Sequence, residues 1–480
     1  MRIRFAGLVV VLFSSPLFCM AQASPGTQCP DHPEDLFTVA VNSSDVAMHA
    51  TDVGSFAIFP LVLQSNISIH AGFDVRWVEV RPLSAKIHAT IAPNHRDLAF
   101  TISDTTPLTV EFNNDLAHVV HLFPHAPEED SVERSSGRLR YFGPGVHEAG
   151  VIELRTGETV YLAAGAWVKG AIRARGVRDV AIRGFGVLDG STITESEAPY
   201  GGRSPIYLED TQNAWIEGIT VVNSQDWTVH LHHANGSHIN GIKVLNPGSR
   251  YGDDGLDLVS SSHVVVENVF IRTNDDCVVV KNLADLETSD VTVRHSVLWN
   301  MPRGGNGIEI GFETRSHATH DIRFQDLDLI HIERGAAISI HNGDSAAVEN
   351  IDYDDIRVED VRRKLIDLAV VYAPYGPDRP VDDKEIHERM DRGGTWDAAL
   401  CYRAQEKGQL SRRRGTIRGI RVRNLQVVSG LLPYSVIAGY DGDHAVSQVE
   451  MQGMEYQGRK LTTADALKLV QEYASGIVIR

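Results

Sequence analysis

From residue 218 onward one short unit keeps returning. It reads Gly218-Ile219-Thr220-Val221, Gly241-Ile242-Lys243-Val244, Asn268-Val269-Phe270-Ile271, Ser296-Val297-Leu298-Trp299, Asp326-Leu327-Asp328-Leu329, Asp355-Ile356-Arg357-Val358 and Asn424-Leu425-Gln426-Val427. Aligned on their last residues, the copies are separated by 23, 27, 28, 30, 29 and 69 residues. A strand-rich unit of that length cannot bury its apolar side alone and must stack on its neighbours. Without helical patterning between copies, the expectation is an all-β chain whose larger part is a right-handed parallel β-helix. The repeat texture starts after Tyr141, which assigns residues 139–480 to the β-helix. Residues 371–415, with Pro374, Pro377, Pro380 and many charges, interrupt it as an insertion, either a surface excursion or a cleft wall. Near the end, Thr462 with Asp465 and the apolar residues Ala466, Leu467, Leu469, Val470 and Tyr473 predict a short helix covering the last rung.

The region before the repeats has a different period. Phe37 to Val41, Val78 to Val80, Leu98 to Ile102, Leu108 to Phe112 and His118 to Leu122 are strand-like runs separated by Asn, Asp, Pro and Gly. They predict a small antiparallel β-sandwich over residues 31–138. Residues 1–23 combine Arg2 and Arg4, the apolar run Leu8 to Phe13 and the small-residue end Ala21-Gln22-Ala23, the three parts of a signal peptide. That run is too short to span a bilayer, so the mature protein is expected to be secreted or periplasmic. Cys29, Cys277 and Cys401 then remain, enough for no more than one disulfide and without the close spacing of a metal cluster.

The formal net charge of -18 argues against nucleic acid and anionic membrane surfaces as partners, because both reward clustered Lys and Arg. A polyanionic substrate is disfavoured for the same reason. Nothing in the sequence sets an oligomeric state.

The chemistry concentrates between Gly252 and Lys281, where Asp253-Asp254 and Asp275-Asp276 flank a run of alternating apolar and polar residues. Asp254 and Asp275 are 21 residues apart, close to one solenoid rung, so the two pairs are expected side by side on adjacent rungs. Carboxylates gathered on a rigid surface suit glycoside hydrolysis, in which one acid releases the leaving sugar and another activates water. Such chemistry needs no cofactor and no metal. A strand alternates its faces, so Asp275 and Asp276 can share a cleft only if the chain bends or bulges there.

The order Asp253-Asp254-Gly255, Asn274-Asp275-Asp276-Cys277 and Gly305-Asn306-Gly307 resembles glycoside hydrolase family 28, the polygalacturonase-like β-helix enzymes. That family carries Asn-Thr-Asp-Gly, Gly-Asp-Asp-Cys, Gly-His-Gly and Arg-Ile-Lys, and the likeness covers about residues 140–455. A sandwich joined to a β-helix is also similar in architecture to the family 49 dextranases. The resemblance implies an oligo- or polysaccharide substrate with an α-linkage and a single displacement with inversion. Asp275 would be the general acid, its proton retained by nearby like charges, and Asp254 and Asp276 would position and deprotonate the water. Two family positions depart: the histidine of Gly-His-Gly is Asn306, and Arg-Ile-Lys reads Ser339-Ile340-His341. The cationic fork for a uronate is thereby lost, which argues against simple polygalacturonate and favours a neutral sugar, or one whose charge is met by other residues.

Each flanking residue carries a blander alternative. Lys281 lines the cleft or is an ordinary strand lysine; Glu309 and Glu313 contact sugar or are solvated strand ends. Asn306 and His341 are candidate substrate contacts, and Trp227 is a sugar platform or a core aromatic. His230, His232 and His233 lack an acidic partner at ligand spacing, which favours surface or stacking positions over a metal site. Two rival functions stand beside hydrolysis. A polysaccharide lyase would use clustered Asp for Ca²⁺ and Lys281 as base, and a non-catalytic carbohydrate-binding protein would keep only the scaffold.

Overall fold

A computed structural model describes residues 36–127, 138–194, 202–283, 286–371 and 414–480. The expected leader, residues 1–23, and residues 372–413 of the expected insertion lie outside them.

Residues 37–125 form two five-stranded sheets packed face to face. In Ser65–Ala71 every second residue is buried, so Ile67 and Ile69 enter the sandwich core while Asn66, Ser68 and His70 face water. Pairing is antiparallel except where Gly54–Pro60 runs parallel to Asp115–His125. Leu108–Phe112 is buried on both faces, because Val110 and Phe112 point into the sandwich while Glu111 reaches His331 across the junction.

From Leu139–Phe142 to Ala474–Ile479 the chain builds one continuous 29-stranded sheet, coiled so that strands pair in parallel with their equivalents one rung later, apart from the short antiparallel pair Glu455–Tyr456 and Arg459–Lys460. This is a parallel β-helix. A typical rung is Leu256–Val259, Ser262–Glu267 and Phe270–Thr273. Leu231, Leu258, Val280, Ile310, Ile340 and Leu368 pair in register on successive rungs and are fully buried. Each such aliphatic side chain stabilises the stack by roughly 1.5–3 kcal/mol.

The structure explains the repeat. Gly218, Gly241, Asn268, His295, Asp326, Asp355 and Asn424, each one residue before the recurring strand core, all have φ between 52° and 79°. Every rung turns there through the left-handed region, which Gly, Asn and Asp enter at least cost. One register differs from the sequence alignment: Ile271 pairs with Leu298 rather than Trp299. A bulge follows, with Leu298 opposite Leu329 but Trp299 opposite His331, which the even spacing could not show.

The predicted terminal helix is absent. Residues 463–468 make a single turn, closed by Leu467 N–H to Thr463 O at 3.1 Å and Lys468 N–H to Asp465 O at 3.0 Å. Leu469–Glu472 and Ala474–Ile479 then add to the ladder beside Tyr434–Ala438 and Val446–Gln452. An open sheet edge offers those residues a backbone partner at every second position, which outweighs the helical pattern of their side chains.

The sandwich rests on one side of the β-helix. Val53, Phe56, Val119 and Phe123 pack with Leu245, Phe270, Trp299 and Ile330 into a shared apolar cluster. Arg272, buried in it, donates to the carbonyls of Val53 and Leu116 and lies 3.6 Å over the Trp299 ring. Arg81 bridges Glu111 at 2.8 Å and Glu359 at 2.5 Å.

Candidate active site

The site grows from a bend repeated on five rungs. Val229, Leu256, Val278, Ile308 and Ile338 are register partners. The residues two before them, Trp227, Asp254, Asp276, Asn306 and Ala336, therefore stand in a row. Backbone bonds continue the ladder through the bend: Gly255 N–H to Asp276 O at 2.8 Å and Cys277 N–H to Asn306 O at 3.0 Å. Cys277 and Val278 both enter the apolar core, so strand alternation is broken between them and Asp276 turns away from the interior. That is the bend the acids require. It also dictates small residues one step before each strand: a Cβ on Gly255 would sit 2.5 Å from Ile271, and one on Gly307 2.8 Å from Ile332.

Asp275 belongs to the preceding turn, where alternation does not apply. Its carboxylate accepts from Gly252 N–H at 3.0 Å and from Asp276 N–H at 3.1 Å, and it stays partly open to solvent. Gly305, at φ 63°, packs directly on the Asp275–Asp276 peptide, where a Cβ would approach to 2.1 Å. Two buried asparagines clamp the turns. Asn246 donates to Asp253 O at 2.6 Å and to Thr228 Oγ1 at 2.7 Å; Asn300 donates to Asp275 O at 3.0 Å and Gly304 O at 2.8 Å. Sequence reasoning missed both. The signal was present, since Asn223, Asn246 and Asn300 each end the third strand of a rung.

Lys281 is the hub of the acids. Its ammonium lies 2.7 Å from Asp254 Oδ2, 2.8 Å from Asp257 Oδ1 and 3.6 Å over the Trp227 ring, with 4% of the residue exposed. Burial alone would depress the lysine, but Asp254, Asp257 and Glu313 outweigh it and hold the ammonium well above its ordinary value. Asp275 is pushed up to about 8 by burial and then by the charges of Asp254 and Asp253. Asp276 is raised well above the carboxylate range by burial, Asp275, Glu309 and Asp254. The acids act on one another electrostatically, so their protons come off as a group.

The flanking residues are placed less openly than expected. Trp227 is 7% exposed and one face of its ring carries the Lys281 ammonium, so it supports the lysine rather than offering a free platform. Glu309 is fully buried, not a solvated strand end. It accepts from Asn306 Nδ2 at 3.1 Å, from Ser339 Oγ, and pairs with His341 Nδ1 at 2.9 Å. His341 Nε2 in turn meets Asp367 at 2.9 Å. Burial works against the imidazolium, yet Glu309 and Asp367 together lift it to about 10. Asn306 spends its amide on Asp276 at 2.9 Å and on Glu309. His230 is enclosed between Tyr207 and Trp227, with ring centroids at 4.7 and 4.9 Å, and His233 pairs with Asp210. His230 thus takes one of the two arrangements expected, whereas His233 has an acidic partner, Asp210, that the sequence reading did not find.

Residues 152–381 match the sequence profile of glycosyl hydrolases family 28, a span that contains every residue just described. A probable endopolygalacturonase D of Neosartorya fischeri is 28% identical over 224 residues, 42% of this chain and 45% of that one. A probable polygalacturonase of Arabidopsis thaliana is 25% identical over 170 residues, 35% of this chain and 36% of that one. The chain thus spans less than half the length of these relatives. Dex49A from Penicillium minioluteum shares the fold at a TM-score of 0.65, covering 93% of this chain and 96% of that structure at 14% identity.

Proposed function

Over residues 152–381 the chain belongs to glycosyl hydrolases family 28, and from that premise we propose that it is an exported inverting glycosidase acting on an α-linked, uncharged oligo- or polysaccharide. The observation that carries the proposal is the register of Asp254 and Asp276 on adjacent rungs, with Asp275 in the turn between them.

In this reading Asp275, raised to about 8, holds a proton at neutral pH and gives it to the glycosidic oxygen as the bond to the anomeric carbon breaks. Water attacks the opposite face and passes one proton to the Asp254–Asp276 pair, which acts as base in the shared protonation state that leaves one of its carboxylates ionised. Direct attack by either carboxylate is disfavoured, because Asp254 Oδ2 is tied to Lys281 and Asp276 Oδ1 accepts two N–H groups from Asn306.

The charge balance supports an uncharged sugar. Lys281 is bound to two carboxylates and His341 to two others, while Asn306 and Ser339 carry no charge. The two cations buried beside the acids, Lys281 and His341, are already committed to carboxylates, so a uronate placed there would meet mainly repelling charge. The same ion pairs weigh against a lyase: a lysine held well above its ordinary value is a poor base for abstracting a carbon-bound proton.

A panel of neutral and acidic polysaccharides, with product anomers followed by NMR, tests the reading. New reducing ends on a neutral α-glycan, appearing first as the inverted anomer, are expected. Retained anomers would refute inversion, and unsaturated products would replace hydrolysis by elimination.

A further inference from the structure

Behind Asp276 lies a connected line of ionisable groups that the displacement itself does not use. Asn306 commits one amide hydrogen to Asp276 Oδ1 at 2.9 Å and the other to Glu309 Oε2 at 3.1 Å. Its oxygen accepts from Ala336 N–H at 2.9 Å, so both amide hydrogens and the oxygen are engaged and only one orientation of the amide satisfies all three contacts. Glu309 is locked by Ser339 and His341, His341 by Asp367, and Asp367 by Lys364. From Asn306 to Asp367 no member is more than 7% exposed. The neighbouring register partners Val279 and Ala369 show that apolar residues fill the same rows without difficulty. Burying two acids and an imidazolium there costs free energy that packing alone does not explain.

We propose that Asn306 and Glu309 are positioning residues for the water-activating carboxylate: Asn306 fixes Asp276, and Glu309, held by the His341–Asp367 pair, fixes Asn306 and sets the proton affinity of Asp276 from the next rung. The proposal rests on the glycosidase reading above. Asp276 is faced by Asp275 from its own turn, by Asp254 and Lys281 from the adjoining strands and by Glu309 from the rung beyond. Glu309 is faced by Asp276, by His341 and, from the core side, by Tyr353; Asp367 is faced by His341 and Lys364.

The two residues act on Asp276 with opposite sign. The Glu309 charge repels the Asp276 anion and raises its proton affinity, whereas the Asn306 amide donates to that anion and lowers it. Glu309→Gln is therefore expected to move the low-pH limb of kcat to lower pH and to cost about 10-fold in kcat, since a weaker base is left. Asn306→Ser is expected to move the same limb to higher pH and to cost at least as much. KM should stay within about twofold in both, because the polar atoms of both side chains are engaged within the protein.

The experiment combines pH profiles of both variants with infrared titration of protein labelled with ¹³C-aspartate, the Asp276 band being identified by its loss in Asp276→Asn. Opposed shifts in the titration support the proposal even where turnover is undetectable, so a failure of the glycosidase reading is told apart from a failure of this one. Unmoved titration in Asn306→Ser, or losses confined to KM, would overturn it. Should Glu309→Gln not fold, the upward shift in Asn306→Ser decides alone.

Discussion

Two buried cations sit on neighbouring rungs of the β-helix, each 3.6 Å over a tryptophan, and they do opposite things. Lys281, over Trp227, faces outward among carboxylates and is held above its ordinary value. Arg272, over Trp299, faces the sandwich, donates to the carbonyls of Val53 and Leu116, and is drawn by burial down to about 9, still protonated at neutral pH. The same residue pairing thus fastens two domains on one face and organises acids on the other. What differs is the partner set. Backbone carbonyls cannot change their charge, and His121, the other group on Arg272, is kept neutral by burial and by the guanidinium, so Arg272 is a rivet; carboxylates can, so Lys281 biases the ionisation of Asp257 and Asp276.

The largest effect expected is at the acid itself. Asp275→Asn should lower kcat by about 10³-fold, the loss of a general acid, while the protein remains folded. Stability should move the other way. The folded value near 8 lies above the unfolded value near 4, so the folded state binds the extra proton and this group's contribution declines as pH rises between those limits. Asp275→Asn removes that decline, and its Tm should exceed that of the wild type at pH 8 but not at pH 4. By the same titration, wild-type kcat should fall as pH passes about 8. A wild-type profile flat through pH 9 would show that Asp275 is not the proton donor.

Next come the cations. Lys281→Met strands Asp254 and Asp257 in the interior, at a cost of about 3–5 kcal/mol, and should reduce kcat by about 10²-fold at temperatures where the variant is still folded. Arg272→Met leaves two buried carbonyls short of a donor, about 1–3 kcal/mol each, yet kcat should change less than about threefold. Parallel measurements of Tm and kcat decide whether the two faces are separable; a large kcat loss in Arg272→Met would show that they are not.

Much of this was legible because backbone constraint leaves marks in sequence. The left-handed turn residue of each rung must be Gly, Asn, Asp or a tolerant substitute such as His295, and that requirement produced the repeat. Asp254 and Asp276 could be paired because one rung separates them in register. Side-chain pairing across rungs leaves no comparable mark. Nothing in the sequence around Glu309 distinguishes a solvated acid from one gripped by Ser339 and His341, residues about 30 positions away. The covering of Trp227 by Lys281 escaped for the same reason. The terminal segment misled because Leu467, Leu469 and Val470 fit a helical face, whereas Lys468 and Tyr473 take φ of 49° and 46° and return the chain to the ladder.

The smallest effect tests the comparison most closely. Trp227→Phe and Trp299→Phe each retain an aromatic ring under the cation but weaken an attraction worth about 0.5–2 kcal/mol. Trp299 also gives up a hydrogen bond to Glu333 at 3.2 Å and is fully enclosed, so its replacement should lower Tm more than that of Trp227. Kinetics should rank them in reverse. Loosening Lys281 removes part of the charge that keeps Asp257 from taking up a proton, so Trp227→Phe should cut kcat about threefold and move its pH profile, while Trp299→Phe leaves both unchanged. Equal kinetic losses in the two variants would mean that rigidity of the β-helix, and not the charge on Lys281, is what the acids depend on.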